Sequence, residues 1–398
     1  MGGYLYEWAS LILRFSHIIF AIGWIGSSLY FMWLDASLER PEKNADPNLE
    51  GFLWMVHSGG FYAVERRRLA PGEVPPRLHW FKWEALFTLL TGLSLLALIY
   101  YGRAEIFLLG PGAGITSVAT AIATSISIVV GSWLAYDWLW SRSWAERAVR
   151  FTTLLSLVGL VLLCLALNAL YSGRGAYIHL GAILGTLMVL NVWLRILPAQ
   201  QKMIDATASG HPMDVRHSHR AKRRSVHNTY LTLPVLFTMI SQHYPMTFGH
   251  SQRGLLLCTF VAAGVAIRYA MVQGTYRRPL LAAIGGAVVL VLVPMGMTLP
   301  QVSSDAASQP VDFATIKPLV ARHCLSCHSK KPFDPNWPSQ DPPAGLALDN
   351  DATVLMRAED IKEQVVARRL MPFGNRTNMT DAERDLVRRW VEGLVQKP

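Results

Sequence analysis

Cys324-Leu325-Ser326-Cys327-His328 is a C-x-x-C-H string, the attachment signature of a c-type haem. Thioether bonds from Cys324 and Cys327 tether the porphyrin, and His328 falls where a proximal iron ligand is needed. Two other readings compete. A zinc knuckle wants a second Cys/His pair at short spacing, and none follows. A redox C-x-x-C has no use for His328. The motif predicts one covalent haem c and an electron-transfer role. It also predicts a location, since such haem is attached on the outer face of a bacterial inner membrane or its organellar equivalent.

The residues downstream extend this reading. Met371-Pro372 follows the motif, and Thr380-Asp381-Ala382-Glu383 opens a last helix with a capping box. Small class I cytochromes c look like this: the motif, a Met-Pro loop, a final helix. Met371 is the expected distal iron ligand, with Met379 as its rival. Met356 reads as core, and Phe313 and Trp390 as a packed pair.

The first three quarters of the chain are different. Of all residues 52% are apolar and 16% charged, and residues 1–300 run through long hydrophobic segments near the ~20 residues needed to span a bilayer. Eight spans are expected, at 8–34, 80–101, 115–140, 150–171, 176–197, 226–243, 252–272 and 280–300. The segment 51–64 is too short and carries Gly59-Gly60, so it reads as interfacial or re-entrant. The predicted fold is all-α: a polytopic eight-helix transmembrane bundle over 1–300, a linker at 301–311, and a small class I-like cytochrome c domain over 312–398.

Charge supports the count. The loops after odd-numbered spans hold 17 Lys/Arg, counting Arg150 at a span edge, and the even-numbered loops hold Arg103, Arg174 and, again counting a span edge, Arg253. The positive-inside rule puts the odd loops in the cytoplasm. The N-terminus and the C-x-x-C-H motif then lie outside, in the periplasm. Residues 301–398 balance 13 Lys/Arg against 13 Asp/Glu, so the net charge of +10 belongs to the membrane part. A nucleic-acid partner is therefore not implied; the partner implied is a lipid bilayer. Arg66-Arg67-Arg68 and Lys222-Arg223-Arg224 read as topology determinants. Met1–Trp8 has no Lys or Arg and does not read as a cleaved signal. Cys164 and Cys258 read as small apolar residues.

An anchor needs one helix, not eight, so the polar residues inside the spans are where chemistry is sought. His17 lies well inside the first span, with Arg14 one turn away on the same face. His179 and His243 stand at outer span ends. A pair drawn from His17, His179 and His243 is a possible ligand set for a second, b-type haem. His57, His79, Lys82, Glu84, Arg195, His217, His219, His227, Asn228 and Arg268 lie inward. Lys82, Arg195 and Arg268 also suit snorkelling.

Four stretches carry a resemblance: Arg14-Phe15-Ser16-His17 with Gly23-Trp24-Ile25-Gly26; His57-Ser58-Gly59-Gly60-Phe61-Tyr62; Leu78-His79-Trp80-Phe81-Lys82-Trp83-Glu84; and His227-Asn228-Thr229-Tyr230. With them the chain resembles the bacterial membrane-bound urate oxidase (urate hydroxylase) family, whose members join an eight-span domain to a C-terminal cytochrome c. The resemblance implies oxidation of urate to 5-hydroxyisourate. It implies electrons passed to a downstream soluble cytochrome c or terminal oxidase rather than directly to oxygen. It fixes no urate-binding residue. Two other classes stay open: a quinol–cytochrome c module or oxidase subunit without urate chemistry, and a sensor or transporter gated by its haem domain.

The charge partition yields a test. A phosphatase reporter fused to the C-terminus is expected to be active, and one fused after Arg224 inactive; activity of the second fusion breaks the eight-span topology.

Overall fold

The computed structural model describes residues 2–42, 44–109, 113–211, 215–275, 281–299, 311–334, 341–367 and 369–395. The expected linker at 301–311 lies outside them, except for Val311. The described chain is mainly helical. Helix α1 covers Gly2–Ser37. Helix α2 covers Trp83–Leu95 and runs on through a π-helical turn, Leu96–Tyr101. Then come α3 (Val118–Trp140) and α4 (Val149–Leu170). Helix α5 is a single long rod, Gly173–Asn191, a π-turn at Val192–Ile196, and Leu197–Ala208. Helices α6 (Val215–Ile240), α7 (Arg253–Thr275) and α8 (Leu281–Met297) complete this part.

Among the described residues, six helices are long and apolar enough to cross a membrane: α1, α2 with its π-turn, α3, α4, α5 and α7. This suits a multi-pass membrane protein. The two remaining expected spans also fall on helices. The one at 226–243 is the apolar half of α6, whose first half carries Arg216, Arg220, Lys222, Arg223 and Arg224. The one at 280–300 is α8, which has 17 residues.

The segment read as interfacial or re-entrant is a β-hairpin. Strands β1 (Leu49–His57) and β2 (Gly60–Arg67) pair antiparallel, closing at His57 and Gly60. The turn residues Ser58 and Gly59 both have positive φ, 48° and 78°, the two-residue geometry that matches strand twist. The Gly59 that argued against a span is the turn itself. Arg66, Arg67 and Arg68 are not free topology charges either. They pair with Asp35, Glu50, Asp46 and Glu65 at the base of the hairpin.

Helix α5 is the centre of the bundle. It packs on α2, α3, α4 and α6, and its face from Tyr177 to Val189 is largely buried. Lipid tails give helices no hydrophobic reason to associate, so close approach through small residues has to do it. Gly181 is one such point: a Cβ there lies 2.3 Å from Thr238 Oγ1. Gly173 is another, with a Cβ at 1.9 Å from the Phe248 carbonyl.

Residues 311–395 form a second core of their own. Helices α9 (Phe313–His323), α10 (Asp351–Met356), α11 (Ala358–Lys362) and α12 (Asp381–Val395) surround Ile316, Val320, Val387, Trp390 and Val391. Phe313 and Trp390 pack at 5.6 Å between ring centroids. Met356, expected in the core, is 80% exposed, because α10 ends on it and turns it outward. This unit touches the bundle through Phe373, which meets Phe107 edge-on at 6.1 Å and Arg174 at 5.2 Å.

Gly181→Ala is expected to lower the thermal midpoint of the detergent-solubilised protein, by an overpacking cost of about 1–3 kcal/mol. Gly185→Ala, where a Cβ meets nothing within 4 Å, leaves the midpoint unchanged. Equal midpoints for the two variants contradict the packing.

Candidate functional site

The C-x-x-C-H stretch leaves α9 at its C-cap. Cys324 O accepts from Cys327 N at 3.2 Å and His328 N at 2.8 Å, which folds the motif into one tight turn. His328 Nδ1 donates to the Leu346 carbonyl at 3.0 Å, and Leu348 N donates back to His328 O at 2.6 Å. A proton fixed on Nδ1 leaves Nε2 with its lone pair, the tautomer and orientation a metal-ligating imidazole needs. Trp390 Nε1 and Ser329 Oγ are buried in the same unit without a protein partner, and a buried donor of this kind calls for one. The residues present fit a covalently held haem.

The competing readings fare worse. A redox pair needs an accessible thiolate. Here burial pushes the Cys324 thiol up to about 12, and burial, with Asp334 close by, also raises Cys327. No group of three or more His, Cys, Asp or Glu able to hold a metal occurs among the described residues.

The two methionines are placed differently. Met379 is 5% exposed, inside the core, and its backbone is clasped from both sides by the Asn375 amide at 3.0 Å. Met371 packs against the rim of that core. Its backbone is held by Met371 N to Gln364 O at 3.1 Å and Arg384 Nη1 to Met371 O at 2.8 Å.

The capping box is formed. Thr380 N donates to Glu383 Oε2 at 2.7 Å and Glu383 N to Thr380 Oγ1 at 3.2 Å. Glu383 also meets His323 Nε2 at 3.3 Å.

In the bundle, the expected histidines do not converge. His17 Nδ1 lies 3.0 Å from both Thr88 O and Thr91 Oγ1 on α2. Arg14 donates from Nε to Ser10 Oγ at 3.2 Å. His179 is buried in α5, with Nδ1 at 2.6 Å from Gly175 O and Nε2 at 2.5 Å from Ser125 Oγ, which Tyr101 OH joins at 2.6 Å. Tyr171 stacks on the His179 ring at 4.8 Å and 5°. His243 is exposed at the end of α6. Ser125 holds His179 Nε2 and Tyr171 covers the ring, and no contact joins His179 to His17 or His243 among the described residues, so no step is derived through a b-type haem.

A second polar cluster, at the other end of α5, was only partly foreseen. Asp137 on α3 accepts Arg195 Nε at 2.7 Å and a second contact from Arg195 Nη2, and it accepts Arg224 Nη2 at 2.9 Å. Asn191 Nδ2 donates to Tyr136 OH at 3.0 Å and to Asn228 Oδ1 at 2.9 Å. Tyr136 OH meets His227 Nδ1 at 2.7 Å, and the His227 ring lies 4.3 Å from Trp140. The sequence reading named Arg195, His227 and Asn228 but missed Asp137, Tyr136, Trp140 and Asn191. A signal existed: Asp137 is the one carboxylate in α3, an otherwise apolar helix, and a charge so placed invites a functional question. The two π-turns of the bundle lie beside polar clusters, one carrying Tyr101 and the other Arg195, as π-bulges often do at functional sites.

Glu383 supplies a pH test. The Thr380 backbone N–H, first of all, and then the Thr380 hydroxyl and His323 hold its carboxyl at about 2, below the ordinary 4.5. A depressed carboxylate stabilises fully above its unfolded value and loses that contribution as pH falls towards the folded one. Hydrogen-exchange protection of α12 is expected to fall between about pH 4.5 and 2, and less steeply in Glu383→Gln. Parallel profiles contradict the capping role.

Residues 3–298 match the family model Urate oxidase N-terminal. No curated protein and no solved structure matches the chain.

Proposed function

The chain belongs to the urate oxidase N-terminal family, and on that footing we propose that it is a membrane-bound oxidoreductase that converts urate to 5-hydroxyisourate. The observation that carries the reading is the family match, which takes in the whole helical bundle. The C-terminal unit then supplies the electron acceptor. Cys324 and Cys327 would hold a haem c through thioethers, with His328 and Met371 as axial ligands. Such a haem accepts one electron at a time at a potential raised by the thioether ligand.

The reaction balances without oxygen. Water adds to urate, forming one C–O bond, and two protons and two electrons leave. The electrons go to the respiratory chain through a downstream soluble cytochrome c or terminal oxidase. The residues of this chain have three tasks: bind a planar anion, carry protons through the bundle, and seat the electron acceptor against it. Cationic side chains suit the first. For the second, His17 is oriented by Thr88 and Thr91 through Nδ1, keeps Nε2, and has Arg14 one turn away. An imidazole inside an apolar helix is costly unless it is used. For the third, Phe373 lies two residues past Met371 and rests on Phe107 and Arg174, so the ligand loop itself faces the bundle. Loop charge and the site of haem attachment support a place in the bacterial inner membrane, with both termini periplasmic.

The test separates assembly from turnover. His17→Ala is expected to keep covalent haem on denaturing gels and to lose urate-driven haem reduction by about tenfold or more. A double Cys324→Ala, Cys327→Ala variant loses the haem stain. Normal stain in the double variant, or normal reduction in His17→Ala, overturns the corresponding assignment.

A further inference from the structure

The Asp137 end of the bundle holds a cavity of about 200 Å³ whose lining includes Trp140, Arg195, Lys202, Arg220, Arg223 and Arg224. Five of these six side chains are cationic. Two carboxylates answer them: Asp137, shared by Arg195 and Arg224, and Glu146, which pairs with Arg220 at 2.6 Å. Lys202 and Arg223 make no ion pair among the described residues. Arg224 forms part of the wall and is 5% exposed, so the cavity is partly sunk into protein.

Topology alone does not explain this. The positive-inside rule asks for Lys and Arg anywhere in the loop; gathering them around one cleft adds mutual repulsion, which a bound anion offsets. Burying a cation also costs unless an anion meets it. Guanidinium geometry narrows the class. Trp140 is buried behind the wall, with Arg223 over its ring at 5.9 Å and His227 against it at 4.3 Å. A flat, delocalised anion can accept from several guanidinium groups in its own plane. A cavity of about 200 Å³ is a space for a small ring system rather than a lipid.

We propose that this cavity is the binding site for the urate anion, entered from the face of the membrane that carries the basic loops. The proposal rests on the urate reading above and adds the place and the recognising groups. Arg223 and Lys202 supply charge that no ion pair takes up among the described residues. Arg195 and Arg224, locked by Asp137, form a rigid rim. Trp140 backs Arg223 from inside the wall.

The test is equilibrium binding of urate to the purified full-length protein in detergent free of anionic lipid. Short-chain phosphatidylglycerol and inorganic phosphate serve as competitors. Arg223→Gln and Lys202→Gln are each expected to weaken urate binding by about tenfold, with haem stain and elution position unchanged. Arg223→Lys, which keeps the charge, is expected to recover most of the affinity. Wild-type affinity in both Gln variants overturns the site. So does displacement of phosphatidylglycerol from the cavity by phosphate but not by urate, which makes it a headgroup site. Urate-driven haem reduction at the normal rate in the Gln variants also overturns the site while leaving urate oxidation standing. A wild-type protein that neither binds nor oxidises urate removes both readings.

Discussion

One carboxylate organises the helical bundle of this chain. Asp137 sits in an otherwise apolar helix, and the cost of a charge there is met by two guanidinium groups, Arg195 from α5 and Arg224 from α6. The triad ties three helices together at one level. It also leaves one net positive charge, and Asn191, Tyr136, Asn228 and His227 are hydrogen-bonded around it so that each polar group has a partner. Removing Asp137 alone would leave two cations facing each other, a far larger penalty than losing one bond. The cavity lined by Arg223 and Lys202 exists because this triad holds its rim in place.

The opposite end of α5 has the complementary character. There Arg174 lies against Phe107, Phe248 and Phe373, and the C-terminal unit makes its contact. Arg174 and Arg195 stand about 30 Å apart along the helix, at 1.5 Å per residue. Charge taken from a ligand at one end must travel that length to reach the other. The interior of α3 is not purely aliphatic over this distance. Trp133 and Tyr136 occupy one half, and Ser125, bonded to His179 and Tyr101, the other.

What the sequence made legible follows from the range of each interaction. Hydrophobic run length is a one-dimensional property, so the expected spans fall on helices, six of them long and apolar enough to cross a membrane among the described residues. The C-x-x-C-H motif is local too, and so is the Thr380–Glu383 capping box. The hairpin at 49–67 was missed because its glycines were weighed against a span rather than as a two-residue turn. The Asp137 triad was missed because its members are scattered at 137, 195 and 224, and each passes alone for a topology or snorkelling charge. For His17, His179 and His243, depth alone does not set which face of a helix a side chain occupies: His17 meets Thr88 and Thr91, and His179 meets Gly175 and Ser125.

The central claim is that electrons from urate reach a haem on the same polypeptide. Anaerobic mixing of the purified, oxidised protein with limiting urate, followed by visible spectroscopy, tests it most directly. The account predicts a ferrous c-type spectrum that appears without added quinol, with two haem equivalents reduced for each urate consumed. A protein that dithionite reduces fully and urate leaves oxidised would contradict it.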